Sequence, residues 1–495
     1  MAKDQEAVEL ECNIMRNQRF HNAPKSPHPR ATQSIVSRKS KTTRRTFLAT
    51  SAVAGLTLAG CTKRVADAPT ITRKVRKDVP LRIALCGNDR FAEVMKTAWS
   101  GIAEQPLQIT LLDPSQILPA DWEAKAVQTL KSSDIAVVPV GLVAALSEAG
   151  LITPPTENLL GENGVNAETF FPVLRERAMT FGGGPVGIPI GAVQPSLVFR
   201  TDATSAKMPT TWDEYVDVAM TLNQDKKEPQ VAEPLAAGSA GQMFLWRASD
   251  AMPSAWLFDR DTFAPVIDTA PYVEALATMK RCAELYDKKR LTAGEVWQRI
   301  ASGSLSMAIA WPAAHSDTQR IEEVSECEFA MLPTASGGPI APVQSLVMYD
   351  SPLAVVSSSC RQSDSANRFI TWLSGGEGSS MIRASVTGLT ELRGSVSLSE
   401  VSQENEDDLP ASSNDSYRFV LSKKLSSLAI RTPLQLLQYR QYAATLDAAV
   451  LSCLDGDTTP QAALTSASSA WTDLTISIGI KRQQKAWRRA QGLSG

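Results

Sequence analysis

Asp134–Pro155 reads DIAVVPVGLVAALSEAGLITPP. Its opening run, DIAVVPV, is apolar without alternation, the pattern of a strand covered on both faces. The residues after it, up to Gly150, read as a helix. A strand covered on both faces needs helices around it, so the flanking sequence is the test. Upstream, LRIALC (Leu81–Cys86) is a short run of strand formers, followed by the turn signal Gly87-Asn88-Asp89. RFAEVMKTAWSGIAEQ then repeats apolar residues three and four apart, as a helix does. LQITLLD, from Leu107, reads as the next strand, and DWEAKAVQTLKSS, from Asp121, as the helix leading back to Asp134. Strands alternating with helices predict the α/β class with a parallel sheet.

The same grammar returns downstream. PSLVFR and LSMAIAW read as strands, the second ending at Trp311. TTWDEYVDVAMTLNQ opens on a capping box, Thr211 with Glu214 three residues later. TAPYVEALATMKRCAELYDK carries Pro271 in its first turn, and SDSANRFITWLSGG is a further amphipathic helix. The Gly- and Pro-rich pieces FGGGPVGIPIG and TASGGPIAP read as crossings between lobes, and the acidic, Ser-rich stretch 397–416 as a mobile surface loop.

A chain of 495 residues, 43% apolar and 21% charged, is too hydrophobic for disorder and too long for one ordinary core, so two lobes are expected. Residues 1–60 hold 10 Lys+Arg against 4 Asp+Glu, leaving 40 against 48 for the remainder. That acidic body gives no electrostatic ground for binding nucleic acid. KRQQKAWRR, 481–489, is the exception and reads as a solvated helix end. Seven cysteines show no CxxC spacing, and of three histidines only His315 lies outside the head. No metal, cofactor or catalytic residue is therefore expected, and no G-x-S-x-G elbow occurs.

Thr43–Cys61, TRRTFLATSAVAGLTLAGC, has the three parts of an export signal. Arg38, Lys39, Lys41, Arg44 and Arg45 supply charge, Phe47 to Ala59 an apolar run, and Leu58-Ala59-Gly60 the small-residue approach to Cys61. The run falls short of the roughly 20 residues that span a bilayer. Arg44-Arg45 before Phe47-Leu48 resembles the twin-arginine export motif, and Leu58-Ala59-Gly60-Cys61 resembles the lipobox of bacterial lipoproteins. The resemblance implies a lipid on Cys61 and loss of everything before it.

From about Leu81 to Thr475 the chain resembles the extracellular solute-binding proteins of ABC importers, the group that includes maltose-binding proteins. The phrases that carry it are Asp134–Pro155, then GIPIG, MPTTWDEY, IASGSLSMAIAWPA, AMLPTASGG, SANRFITWL and LDGDTTPQAALTSASSAWTDL, in the family's order. The resemblance implies a two-lobed periplasmic-binding-protein fold, each lobe a mainly parallel sheet flanked by helices, joined by crossing segments. It divides the chain into a disordered extension 1–42, a signal peptide 43–60, a lipidated tether 61–80, lobe 1 at 81–192 with 331–390, lobe 2 at 193–330 with 391–480, and a basic tail 481–495. It also implies a monomeric receptor, anchored in the periplasm by the lipid on Cys61, that carries a sugar or similar polar solute to ABC permease subunits.

A sugar offers an apolar ring face and a rim of hydroxyls, so its site needs an aromatic platform and polar groups at the edge. Trp311, at the end of its strand, is the platform candidate, with a core role as the alternative; maltose-type members place that Trp where this chain has Ala313. Asn88 and Asp89 are rim candidates or turn formers. Gln194 and Gln344 flank the two crossings, and Trp246 and Trp256 either stack on ligand or fill the core. Phe199-Arg200 stands where iron-binding relatives need a tyrosine, which argues against iron. Two other classes fit the same sequence: an assembly lipoprotein that kept the fold without transport, and a hydrolase using a carboxylate pair.

Overall fold

The computed structural model of the chain describes residues 78–203, 207–251, 256–312, 326–335, 345–375, 413–427 and 429–493. Arg44, Arg45, Cys61, His315 and Gln344 lie outside the described residues, as do the extension, the signal and almost all of the tether. So does 397–412, while 413–416, expected in the loop, open the helix Ser413–Leu425. All described residues fall within one compact unit, Thr72–Gly495.

Strand Ile135–Pro139 is buried at every position. It sits inside a six-stranded sheet in the order Leu107–Leu112, Leu81–Cys86, Ile135–Pro139, Pro352–Ser357, Ile152–Thr153, with Ile188–Pro189 also paired to Pro352–Ser357. The first three run parallel, joined by the crossover helices Asp89–Ser100 and Pro119–Leu130. Pro352–Ser357 arrives from far along the chain and lies antiparallel to its three partners. A second sheet orders Cys327–Ala330, Ser196–Arg200, Met307–Ala310 and Val231–Ala232. Here Ser196–Arg200 is antiparallel to both neighbours, and only Met307–Ala310 with Val231–Ala232 is parallel. The α/β class holds, but the pairing is more mixed than the mainly parallel sheets expected. Parallel neighbours require a crossover helix; Ser196–Arg200 and Pro352–Ser357 enter through crossings that carry no such constraint.

Local signals hold where they were strongest. Thr211 and Glu214 form the capping box of helix Trp212–Asn223, and Thr292 with Glu295 form a second one, not singled out from sequence, on Ala293–Ala301. Pro271 lies in the first turn of Ala270–Ala283. The basic run 481–489 is no loose tail. Helix Ile480–Ala490 buries Gln483, Ala486, Trp487 and Ala490, and Arg482 pairs with Glu148 at 2.6 Å. No helix among the described residues is long and apolar enough to cross a membrane.

Asp134, the first residue of the central strand segment, is fully buried and fastens the sheet edge. Arg82 donates to it twice, Nε at 2.9 Å and Nη2 at 2.8 Å, and the Arg82 and Arg361 amides add bonds of 3.1 and 3.2 Å. Burial alone would raise this carboxyl, but the Arg82 and amide hydrogen bonds outweigh it and hold it below its ordinary 3.8. A depressed folded pKa means full stabilisation above the unfolded value and loss as pH falls through the folded one. Asp134→Asn is therefore expected to cost about 1–3 kcal/mol at neutral pH. In urea titrations at stepped pH the gap to the parent should close below pH 3.8; a gap constant with pH would show that the charge on Asp134 contributes nothing.

Candidate functional site

Three crossings meet between the sheets. The first, Ile190–Pro195, joins strand Ile188–Pro189 to Ser196–Arg200. The second leads from Ala330 towards Pro352 and the third from helix Ser413–Leu425 to helix Tyr439–Leu454, and they touch where Ser345–Leu346 pairs in parallel with Ile430–Arg431. Gln194 is buried at this junction. Its Nε2 donates to the Leu346 carbonyl at 3.1 Å, while the Tyr417 hydroxyl donates to the Gln194 carbonyl at 3.4 Å. Gln194 thus ties the first crossing to the second. Lys424 adds a further tie, its ammonium donating to the Pro195 carbonyl while its own carbonyl accepts from Ser345.

Trp311 follows directly on the register pair Ala310–Ser196, which sets it level with Pro195. Its ring lies 6.1 Å from that of Trp246, tilted by 55°. The structure therefore brings together Trp311, Trp246 and the crossing that holds Gln194. Trp256 is elsewhere: it stacks on Tyr272 at 6.2 Å and its Nε1 donates to the Thr432 carbonyl at 2.8 Å, which positions the third crossing. Asn88 is exposed at the edge of the first sheet as the N-cap of helix Asp89–Ser100, its Oδ1 accepting from the Phe91 amide at 2.9 Å. Asp89 is exposed in the first turn of that helix.

Trp246 belongs to helix Ala240–Ala251, and residues four apart share a helix face. Gln242, Trp246 and Asp250 form such a stripe. Gln242 Nε2 donates to Asp350 Oδ2 at 2.7 Å, Trp246 meets Trp311, and Asp250 feels the charges of Lys424 and Arg431. Asp350 and Asp250 are both open to solvent, yet surrounding protein pushes both carboxyls up, Asp350 to about 6. Arg440 opposes the shift at Asp350, and its guanidinium donates to the Pro114 carbonyl at 3.1 Å and lies 4.8 Å over the Trp122 ring.

The helix that carries the stripe is held at its N-terminus by buried Asp447, which accepts from the Gly238 and Gly241 amides at 2.7 and 2.8 Å. A Cβ on Gly241 would stand 3.0 Å from the Asp447 Cα. Sequence reasoning missed Gln242, Asp250, Asp350, Lys424 and Asp447. For Asp350 a signal existed, since it follows the apolar SLVMY as Asn88-Asp89 follow LRIALC. Together these groups hydrogen-bond, stack and carry charge, the means by which a cleft retains a polar molecule.

The family model described as bacterial extracellular solute-binding protein matches residues 121–411, more than half of the chain. No curated protein sequence matches. Among solved structures, a ribitol complex of an ABC transporter solute-binding protein from Agrobacterium radiobacter K84 is similar at TM-score 0.59 and 20% identity, over 80% of this chain and 99% of that one. Maltose-bound T. maritima MalE3 is similar at 0.58 and 18%, over 80% and 100%. The sugar-binding protein MalE of Xanthomonas citri is similar at 0.59 and 15%, over 81% and 98%.

Proposed function

The chain belongs to the bacterial extracellular solute-binding proteins, and from that premise we propose that it is a receptor for a carbohydrate or similar polar solute, held between its two sheets. The two lobes of this reading are 81–192 with 331–390 and 193–330 with 391–480. The observation that carries it is the Gln242, Trp246, Asp250 stripe set against Trp311 and Asp350 where the crossings meet. Trp246 and Trp311 are themselves buried, so the wall offers amide and carboxylate oxygens to the hydroxyls of a sugar directly, and its rings to the apolar side only once the sheets part. The similar structures that hold ribitol and maltose support the same solute class. Closure about the crossings favours the liganded state by as much as the solute prefers the closed cleft. On this reading Arg44 and Arg45 route the chain for export, Cys61 carries the lipid anchor, and the loaded monomer delivers its solute to an ABC permease.

A thermal-shift screen of sugars, oligosaccharides and polyols tests the reading, because a ligand of the folded state raises the melting temperature with its concentration. Trp311→Ala is expected to weaken the binder found by about 30-fold, the loss typical of a central aromatic contact. A screen in which no solute shifts the melting temperature, or a Trp311→Ala variant with parental affinity, removes the receptor or its site.

A further inference from the structure

On the cleft reading above, we propose that the solute is an acidic carbohydrate, a sugar acid whose carboxylate is received by Lys424. Lys424 is buried on helix Ser413–Leu425, and its ammonium, with three donors, makes one hydrogen bond among the described residues, to the Pro195 carbonyl. Asp250 acts on it only at longer range, without a close ion pair among the described residues. A buried ammonium without a bound anion is costly. Burial pushes this one down to about 8, with Asp250 acting in the opposite direction, so the charge persists at neutral pH.

The same locus holds further donors. Ser196 Oγ, next to Pro195, and Trp246 Nε1, on the ring facing Trp311, are buried without a hydrogen-bond partner among the described residues. All three adjoin the first crossing at Pro195–Ser196, the ammonium and the hydroxyl directly and the Trp246 indole through Trp311, which lies level with Pro195. That set wants acceptor oxygens attached to a ring. A neutral polyol brings a donor with every acceptor, whereas a carboxylate brings acceptors alone. A phosphate dianion fits less well: the helix N-terminus that could share its charge, at Ala240, is already occupied by the Asp447 carboxylate.

The test is calorimetric titration of the full chain with matched pairs: glucuronate against glucose, galacturonate against galactose, gluconate against sorbitol. At least one acid should bind about tenfold or more tightly than its neutral partner, the size expected of a charge-assisted hydrogen bond. Lys424→Met should reduce that preference to about twofold or less, while Lys424→Arg, which keeps the charge, should retain most of it; parental urea midpoints would show that both variants fold. Neutral partners that bind as tightly as their acids in all three pairs, or a preference that survives Lys424→Met, overturn the proposal and leave the receptor reading standing. Absence of binding for all six overturns the proposal too, and the wider solute screen then decides the receptor reading by itself.

Discussion

Arg247→Met is expected to lower the unfolding free energy by about 3–5 kcal/mol, the cost of leaving a buried charge without its partner. Arg247 and Glu233 are 2% and 0% exposed and form an ion pair. The guanidinium lies 4.0 Å over the Trp212 ring, and the Tyr286 hydroxyl, itself 3.0 Å from that of Tyr215, donates to Glu233 at 3.3 Å. Satisfaction is incomplete, for Glu233 Oε1 and Arg247 Nε and Nη1 have no partner among the described residues. Such a pair contributes little net stability, yet removing one member strands the other. Glu233→Leu combined with Arg247→Met should therefore recover most of the loss. Burial raises the Glu233 carboxyl against the pull of Arg247, and without Arg247 only the Tyr286 hydrogen bond and the Arg290 charge still oppose it, so the carboxyl rises further. A raised folded pKa gives stability that is full below the unfolded value of 4.5 and is lost as pH rises through the folded one, so the Arg247→Met deficit should shrink as pH falls towards 4.5. Urea midpoints of the two singles and the double, at pH 7 and 5, measure this. A double variant no better than Arg247→Met would mean that cavity formation, not charge, sets the cost.

What the sequence yielded follows from distance along the chain. LRIALC, DIAVVPV and the Thr211–Glu214 cap are decided by residues within a few positions of one another, and they stand as read. Strand direction was lost because Pro352–Ser357 finds Ile135–Pro139 only after the chain has built the second sheet. Asn88 shows a different limit: a polar residue after a strand satisfies the cap rule and the cleft rule equally, and only the Phe91 bond shows which job its Oδ1 performs. Trp246 lies on a helix and Trp311 just after a strand buried at every position, and nothing local sets their rings 6.1 Å apart. Lys424 lies 229 residues from its Pro195 partner, in a helix whose sequence carries almost no amphipathic signal. The basic run 481–489 is the helix end it was read as, but its buried face was not read, because its charges outnumber Ala486, Trp487 and Ala490.

Asp447→Ala is expected to cost about 2–4 kcal/mol, because it leaves the Gly238 and Gly241 amides without an acceptor. Asp447→Asn keeps one oxygen and should lose about half as much. The more telling effect is on affinity. Asp447 stands on helix Tyr439–Leu454, and what it fixes is the start of helix Ala240–Ala251, which presents Gln242, Trp246 and Asp250 in one stripe. A wall that must be reordered on binding binds more weakly in proportion to the ordering cost. If the stripe is the solute wall, Asp447→Ala should therefore weaken the solute by about tenfold or more without touching it. Gln242→Ala, which removes the Asp350 bond but leaves the helix anchored, should change stability by less than Asp447→Ala does. Paired measurement of urea midpoint and calorimetric affinity separates the two roles. An Asp447→Ala variant that loses stability while keeping parental affinity would place the solute against some other wall, since a cleft built on this helix cannot lose its anchor and keep its shape.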